Sequence, residues 1–470
     1  MEVVKVPRLM LSAPHKSSGK TTVTLALLRY FADQGFAVSS FKKGPDYIDP
    51  EWHRLASRAE CSNLDPWLMG REACIALFQA KSAGKSASLA LIEGNHGLHD
   101  GISLDGSDSS AGLAQMLEAP VVLVVDSRKM NRGIAALVMG MQAMTPRADI
   151  MGVILNQVKS LRHAEKQTQA IEHYCGVPVL GSIPHDPELL LAERHLGLTT
   201  VAETAEAEKF IQAAAEKVGR YCDMAALLAL FHEAPPMEVR RQGSFGKHVA
   251  ARVKIGVFMD AAFCFYYPEN LEALRNNGAE ICFINTFQES SLPDVDALYL
   301  GGGFPESFFE VLSSNKGLLK DVRERIEGDM PVYAECGGLI YLCHKAIYGG
   351  KSYRLAGVLP FEIIFGKTPA GHGYLDLKSR EDSPWFRKGE CVKAHEFHYS
   401  RVLLPTVDHS FQFDVIRGYG ITGKSDGALY RNVFASFAHL HALANPLWAE
   451  TFVSLASAYK AREQRQSGLS

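Results

Sequence analysis

The sequence predicts two α/β domains in tandem, the first built on a largely parallel sheet. Three observations carry that expectation. From Leu9 to about Leu198, apolar runs rich in Val and Ile alternate with helical patterns, as parallel strands covered on both faces require. Around residue 235 the periodicity fails, and Ala234-Pro235-Pro236-Met237-Glu238-Val239-Arg240-Arg241 leads into a stretch of Gly and charge ending near Lys247. Beyond it, Val253-Lys254-Ile255-Gly256-Val257-Phe258-Met259 opens a fresh apolar strand. At 470 residues the chain exceeds one ordinary hydrophobic core. The expected boundaries are 1–234 for the first domain, 235–252 for a linker, 253–462 for the second domain and 463–470 for a frayed tail.

In the first domain, Leu9-Met10-Leu11-Ser12 reads as a strand, and Val23-Thr24-Leu25-Ala26-Leu27-Leu28 reads as the body of a helix. Between them lie Ala13-Pro14-His15-Lys16-Ser17-Ser18-Gly19-Lys20-Thr21-Thr22. Strand, small-residue loop and Gly-Lys-Thr-Thr opening a helix form the context that a phosphate-binding loop needs. Ser17, Ser18, Gly19, Lys20, Thr21 and Thr22 are therefore candidate ATP contacts, with Lys20 reaching the outer phosphates and the Thr21 hydroxyl holding Mg2+. Pro14 stands where the usual loop has its first glycine. Two later strand ends supply acids: Phe41-Lys42-Lys43-Gly44-Pro45-Asp46-Tyr47-Ile48-Asp49-Pro50, and Leu89-Ala90-Leu91-Ile92-Glu93-Gly94. Hard Mg2+ takes oxygen ligands, so Thr21, Asp46 and Glu93 form the expected metal set at the carboxyl edge of the sheet. Asn156, at the end of a further strand, is either an adenine contact or a plain turn residue.

The second domain carries different chemistry. Leu298-Tyr299-Leu300 runs into Gly301-Gly302-Gly303, and Pro331-Val332-Tyr333-Ala334-Glu335 runs into Cys336-Gly337-Gly338. A cysteine followed at once by glycines at a strand-to-helix turn is how a thiol nucleophile is presented. The helix start favours its thiolate, and N–H groups at Gly302, Gly303 and Gly337 make a candidate oxyanion hole. The general base is expected at His439, after the short strand Ala435-Ser436-Phe437. This ordering resembles the triad-type glutamine amidotransferases. In that family an acid follows two positions after the histidine; here the position is His441, so a Cys336–His439 dyad is expected and any orienting carboxylate comes from elsewhere. His395 and His398 read either as site-lining residues or as satisfied core histidines.

Composition excludes several classes. Hydrophobic residues at 47% suffice for packing, and charged residues at 21% do not indicate a disordered chain. A net charge of −3 provides no global footing for nucleic acid. Nine scattered cysteines without Cys-x-x-Cys spacing point to reduced thiols in a cytoplasm rather than to a disulfide or zinc framework. The expected location is cytoplasmic, since neither a signal-peptide core nor a membrane-length apolar run is present.

Taken together, these segments resemble the cobyrinic acid a,c-diamide synthase family over nearly the whole chain. The match includes Gly19-Lys20-Thr21-Thr22, Lys43-Gly44-Pro45-Asp46-Tyr47-Ile48-Asp49-Pro50 and Glu93-Gly94 with Gly97-Leu98 and Asp100-Gly101. It continues through Ala119–Asp126, Gly152–Asn156, Pro178–Pro184, Glu193-Arg194-His195-Leu196-Gly197-Leu198, the cysteine segment, His395–Ser400 and His439. The resemblance implies an N-terminal P-loop unit of dethiobiotin synthetase-like fold and a C-terminal amidotransferase unit. It implies amidation of the a and c carboxylates of a modified tetrapyrrole through acyl phosphates. Its partners would be ATP, Mg2+, L-glutamine and a tetrapyrrole carboxylic acid, with a homodimer as one compatible assembly. Tyr47, Asn95 and His96 are the implied acceptor contacts. Asn95-His96 departs from the apolar pair usual there, which brings sirohaem or nickel sirohydrochlorin forward as alternative acceptors. A P-loop ATPase or a tetrapyrrole carrier without amidation is the competing class.

Overall fold

The computed structural model describes residues 2–82, 88–191, 193–194, 197–198, 200–201, 204, 206–239, 249–403, 409–466 and 468. His195 and Leu196 of the matched segment, residues 240–248 of the expected linker, and residues 467, 469 and 470 of the expected tail lie outside the described residues. The chain divides into two compact units, Met1–Phe245 and Gly246–Ser470.

The first unit is built on a seven-stranded sheet: β1 Arg8–Ser12, β2 Ala37–Lys43, β3 Cys61–Leu64, β4 Ser88–Glu93, β5 Val121–Asp126, β6 Ile150–Val158 and β7 Val179–Pro184. Their spatial order is β3-β2-β4-β1-β5-β6-β7, and every neighbouring pair is parallel. The central strands are apolar on both faces, with Leu9, Met10, Leu11, Leu91, Ile92 and Val121 to Val125 buried, as a sheet covered by helices on both sides demands. The order turns back at β1, so the loops leaving β1, β2 and β4 open on the same carboxyl edge, where such sheets bind ligands. Helix α1 (Lys20–Asp33) follows β1, and α2 (Ile48–Ser57) follows β2. Arg29 of α1 is buried and donates to the carbonyls of Leu55 (2.8 Å) and Ala56 (3.1 Å) in the last turn of α2. Those carbonyls have no partner within their own helix, so this contact fixes α2 against α1 and, with it, the acids at the start of α2.

The second unit contains a nine-stranded sheet of β8 Val253–Phe258, β9 Ala279–Ile284, β10 Ala297–Leu300, β11 Val332–Glu335, β12 Gly371–Ser379, β13 Cys391–His398, β14 Phe411–Arg417, β15 Ser425–Tyr430 and β16 Val433–Ser436. The order is β9-β8-β10-β11-β16-β15-β14-β12-β13. The half from β9 to β16 is parallel and the rest is antiparallel. A separate four-stranded sheet holds Cys343–Tyr348, Lys351–Arg354, Leu359–Phe365 and Ser400–Leu403. One face of the large sheet buries Tyr299, Tyr333, Phe434, Trp448 and Phe452 together; the Tyr333 and Phe434 rings stack with centroids 5.3 Å apart. Beside them, β11 pairs in register with β16, Glu335 opposite Ser436. The loops that leave these two strands therefore start side by side.

Candidate active sites

The candidate phosphate loop turns on two left-handed residues, Ser17 (φ 58°) and Gly19 (φ 90°), and α1 begins at Lys20. Ser18 is fixed by its hydroxyl, which donates to the His15 carbonyl at 2.8 Å, and Thr22 Oγ1 donates to the Leu189 carbonyl at 3.3 Å. Asn156 comes up from β6 beneath the loop. Its Nδ2 donates to the Ser18 carbonyl at 3.0 Å, and a Cβ on Gly19 would fall 2.1 Å from that nitrogen. Asn156 thus braces the loop, and Gly19 is the residue type that permits the close approach.

Below the loop is a buried charged cluster. In the parallel register Lys42 lies opposite Glu93, and both are buried. Glu93 Oε1 accepts from Thr21 Oγ1 (2.7 Å) and from Lys42 Nζ (2.9 Å), while Oε2 accepts from His53 Nε2 (2.6 Å). Lys42 Nζ also pairs with Asp49 Oδ2, which lies 3.5 Å from Thr21 Oγ1. Burial opposes the Glu93 charge, but Lys42, His53 and Thr21 outweigh it and hold this carboxyl far below the usual carboxylate range. Burial also works against His53, yet Cys61, with its sulfur 3.5 Å from Nδ1, and Glu93 push it up to about 10. Lys20 Nζ donates to the His96 carbonyl at 2.7 Å; burial, and Lys42 beside it, bring its pKa down to about 8.

The structure differs from the sequence expectation over which acid reaches Thr21. Asp46 Oδ1 accepts from the N–H groups of Ile48 (2.9 Å) and Asp49 (3.0 Å), so it serves the start of α2. Burial and the neighbouring Asp49 raise its pKa to about 6. Asp49, one helical turn further on, is the acid that joins Thr21, Lys42 and Glu93. Tyr47 stands at the entry to α2. Asn95 is half-buried and accepts from the His96 N–H at 3.0 Å, and a Cβ on Gly44 would meet its Nδ2 at 2.9 Å. His96 itself is exposed in a left-handed conformation (φ 49°).

Among the described residues, no group of three or more His, Cys, Asp and Glu is placed to hold a metal ion by itself. The oxygen atoms of Thr21, Asp49 and Glu93 are nevertheless hard donors of the type Mg2+ accepts, and Mg2+ completes such sets with phosphate and water.

In the second unit, Cys336 sits between β11 and helix α3 (Gly337–Leu342) with φ 48° and ψ −97°. Such strain in a residue other than glycine persists only where the surroundings enforce it. Here the Cys336 N–H is tied to the Ser436 carbonyl at 2.7 Å, and the Gly338 N–H to the Gly301 carbonyl at 3.0 Å. Gly302 has no room for a side chain, and Gly337 has little. A Cβ on Gly302 would lie 2.4 Å from His439 Cε1, and one on Gly337 would lie 3.3 Å from the Gly303 nitrogen. The structure therefore places Gly302 against His439, and Gly303 against Gly337, the residue that follows Cys336. Burial pushes the Cys336 thiol well above its ordinary pKa, and Glu306 and Glu335 add to the shift. A neutral thiol in the free protein needs a base to take its proton.

His439 is buried, and its backbone forms a two-hydrogen-bond bridge with His395 (2.7 and 3.2 Å). The carboxylate nearest its ring belongs to Glu335, with Oε2 3.6 Å from Nδ1. His441 is paired with a different acid, Glu269, 3.6 Å from Nε2. Burial holds His395 low, at about 3, so it is a neutral core residue. His398 is buried against Phe437, with rings parallel and centroids 3.7 Å apart. Lys42, Asp49 and Glu335 lie inside the sequence motifs, Asp49 and Glu335 without a local signal for their place, and no motif marks His53. The alternation of β2 toward Glu93 was the available signal for Lys42.

Two units, one with a nucleotide loop over buried acids and one with a cysteine elbow and histidine, define an ATP-using glutamine amidotransferase ligase. Comparison with known proteins agrees. Residues 11–198 match the CobQ/CobB/MinD/ParA nucleotide binding domain, and residues 254–447 match the CobB/CobQ-like glutamine amidotransferase domain. Cobyrinate a,c-diamide synthase of Magnetococcus marinus is 44% identical over 95% of this chain and 96% of its own. The proteins of that name from Methanosarcina barkeri (97% of each chain) and Archaeoglobus fulgidus (96% and 98%) are each 36% identical. The chain belongs to the cobyrinate a,c-diamide synthase family. Among the described residues no helix is long and apolar enough to cross a membrane.

Proposed function

We propose that this enzyme amidates, in sequence, the a and c side-chain carboxylates of a modified tetrapyrrole, with ATP as activator and glutamine as nitrogen donor. Family membership supports glutamine-dependent amidation of a tetrapyrrole. The observation that carries the finer reading is the pairing in one chain of the strained Cys336 elbow with the Thr21–Glu93–Lys42 cluster under the phosphate loop.

A carboxylate is a poor acyl donor because oxide is its leaving group. In the first unit its oxygen would attack the γ-phosphorus of ATP, releasing ADP and forming an acyl phosphate. Lys20 would follow the developing charge on the phosphoryl oxygens. Thr21, Asp49 and Glu93 would hold Mg2+, whose charge would offset that of the phosphates. In the second unit the Cys336 sulfur attacks the glutamine side-chain carbonyl as His439 accepts the thiol proton. N–H groups at Gly302, Gly303 and Gly337 face the oxyanion, and His439 returns the proton to the departing ammonia. Water then clears the glutamyl thioester as glutamate. Ammonia attacks the acyl phosphate carbon, and inorganic phosphate leaves. None of the nine cysteines is in a disulfide, as suits the reducing cytoplasm where we place the enzyme.

The test is an amidation screen with ATP, Mg2+ and glutamine against cobyrinate, sirohaem and nickel sirohydrochlorin, read by mass spectrometry. Two successive amidations of one acceptor are expected; no amidation of any acceptor overturns the reading. A sirohaem acceptor is favoured by one observation, the exposed imidazole of His96 beside the polar Asn95. Replacing Asn95-His96 by Val-Met should then reduce sirohaem amidation much more than cobyrinate amidation.

A further inference from the structure

We propose that Glu335, the residue immediately before the nucleophile, is the positioning carboxylate for His439. The inference rests on the reading of Cys336 and His439 as the glutaminase pair.

Glu335 ends β11 and is 1% exposed. A carboxylate in such a place needs partners for both oxygens. Oε1 accepts from the Leu440 N–H at 3.1 Å, the amide directly after His439. Oε2 accepts from Tyr299 Oη at 3.2 Å and faces His439 Nδ1 at 3.6 Å. One carboxylate thus holds the histidine's own backbone segment and faces its ring. The same segment is held from the other side by Asn270. Its Nδ2 donates to the Leu440 carbonyl at 2.8 Å, and its Oδ1 accepts from the Ala442 N–H at 2.7 Å. The His439 main chain is thereby pinned by Glu335, Asn270 and the His395 bridge. Of its ring freedom, what remains to be set is which nitrogen carries the proton.

Opposite Nδ1 a carboxylate favours the tautomer with its proton on that nitrogen, leaving the Nε2 lone pair to accept the Cys336 proton. When the imidazolium forms, its charge draws the pair inward from 3.6 Å. The acid at the other available place, Glu269, is engaged with His441, whose Nδ1 accepts from the Leu443 N–H at 3.2 Å. The carboxylate that sequence order places after the histidine is therefore supplied here from before the cysteine.

Glu335→Gln preserves volume and the Leu440 N–H bond to Oε1, but turns an amide N–H toward His439 and Tyr299 Oη in place of an acceptor oxygen. Nδ1 then tends to accept, Nε2 carries the proton, and the base is lost. The expected result for glutamate release is a kcat about 100- to 10,000-fold lower, with the KM for glutamine close to wild type. Tyr299→Phe removes one hydroxyl from the same carboxylate and is expected to lower kcat about tenfold, again with KM held. Wild-type kcat in Tyr299→Phe together with wild-type kcat, or a loss confined to KM, in Glu335→Gln overturns the assignment. Cys336→Ala is run beside them. If it still hydrolyses glutamine, the glutaminase reading itself falls; if it is dead while Glu335→Gln is normal, only the role of Glu335 falls.

Discussion

Around Glu93, buried charges neutralise one another through Lys42, Asp49 and His53, whereas around Cys336 the backbone itself is bent into position. The difference bears on what each site tolerates. In the first unit, deleting one member of the cluster strands a buried charge, a loss of about 3–5 kcal/mol, so activity and stability fall together. In the second, replacing the proposed nucleophile Cys336 should change chemistry with little disturbance, while one added methyl group on Gly302 should displace the His439 ring. One site is sensitive to subtraction and the other to addition.

The sharpest break between them is Cys336→Ser. Glutamine-dependent amidation should fall at least ~1,000-fold while amidation from ammonium salts continues, measured by mass spectrometry of the acceptor. Equal loss with both nitrogen sources would refute the division of labour. Next in size, Lys20→Ala and Glu93→Ala should lower amidation about 100-fold or more with either nitrogen source, with basal glutamate release persisting. Glu93→Ala should also lower the thermal midpoint, since Lys42 and His53 lose their shared acid; Lys20→Ala should not. Third, Gly302→Ala places a methyl 2.4 Å from His439 Cε1 and should cost about 100-fold in glutamine hydrolysis alone, the scale of an ångström of misplacement.

The smallest effect concerns pH. Lys20 is held at about 8 by burial and by Lys42. Its ammonium, the form that attracts phosphate, is present below that value and disappears as the pH rises through it. Bound phosphate favours the ammonium and so raises the pKa in the complex. ATP affinity should therefore be level below about pH 7 and weaken about tenfold from pH 7 to pH 9, by calorimetric titration. Lys20→Arg should flatten that dependence.

Elements that announce themselves locally were legible in the sequence. Strand, small-residue loop and helix placed Lys20, Thr21 and Glu93 on one edge, and the cysteine between an apolar strand and two glycines marked Cys336. Contacts made through register were harder to see. Asp46 lies nearer the end of β2 than Asp49 does, and choosing between them required knowing that Asp46 would serve the N–H groups of Ile48 and Asp49. The link between Asn156 of β6 and Ser18 of the loop joins residues 138 apart in sequence, beyond any local pattern. Glu335 stood directly before the cysteine in that segment, yet its relation to His439 exists only because β11 and β16 are neighbours. The antiparallel half of the second sheet escaped for a related reason: its strand order places β12 between β14 and β13, out of chain sequence.

The ammonium of Lys42 between Glu93 and Asp49 has a consequence for assembly. A protein that depends on a divalent ion to reconcile its buried acids is unfolded by a chelator. Here a lysine on the neighbouring strand already does that, so the first unit carries its own counter-ion through biosynthesis and between turnovers. Chelation should silence this enzyme while leaving its melting curve where it was.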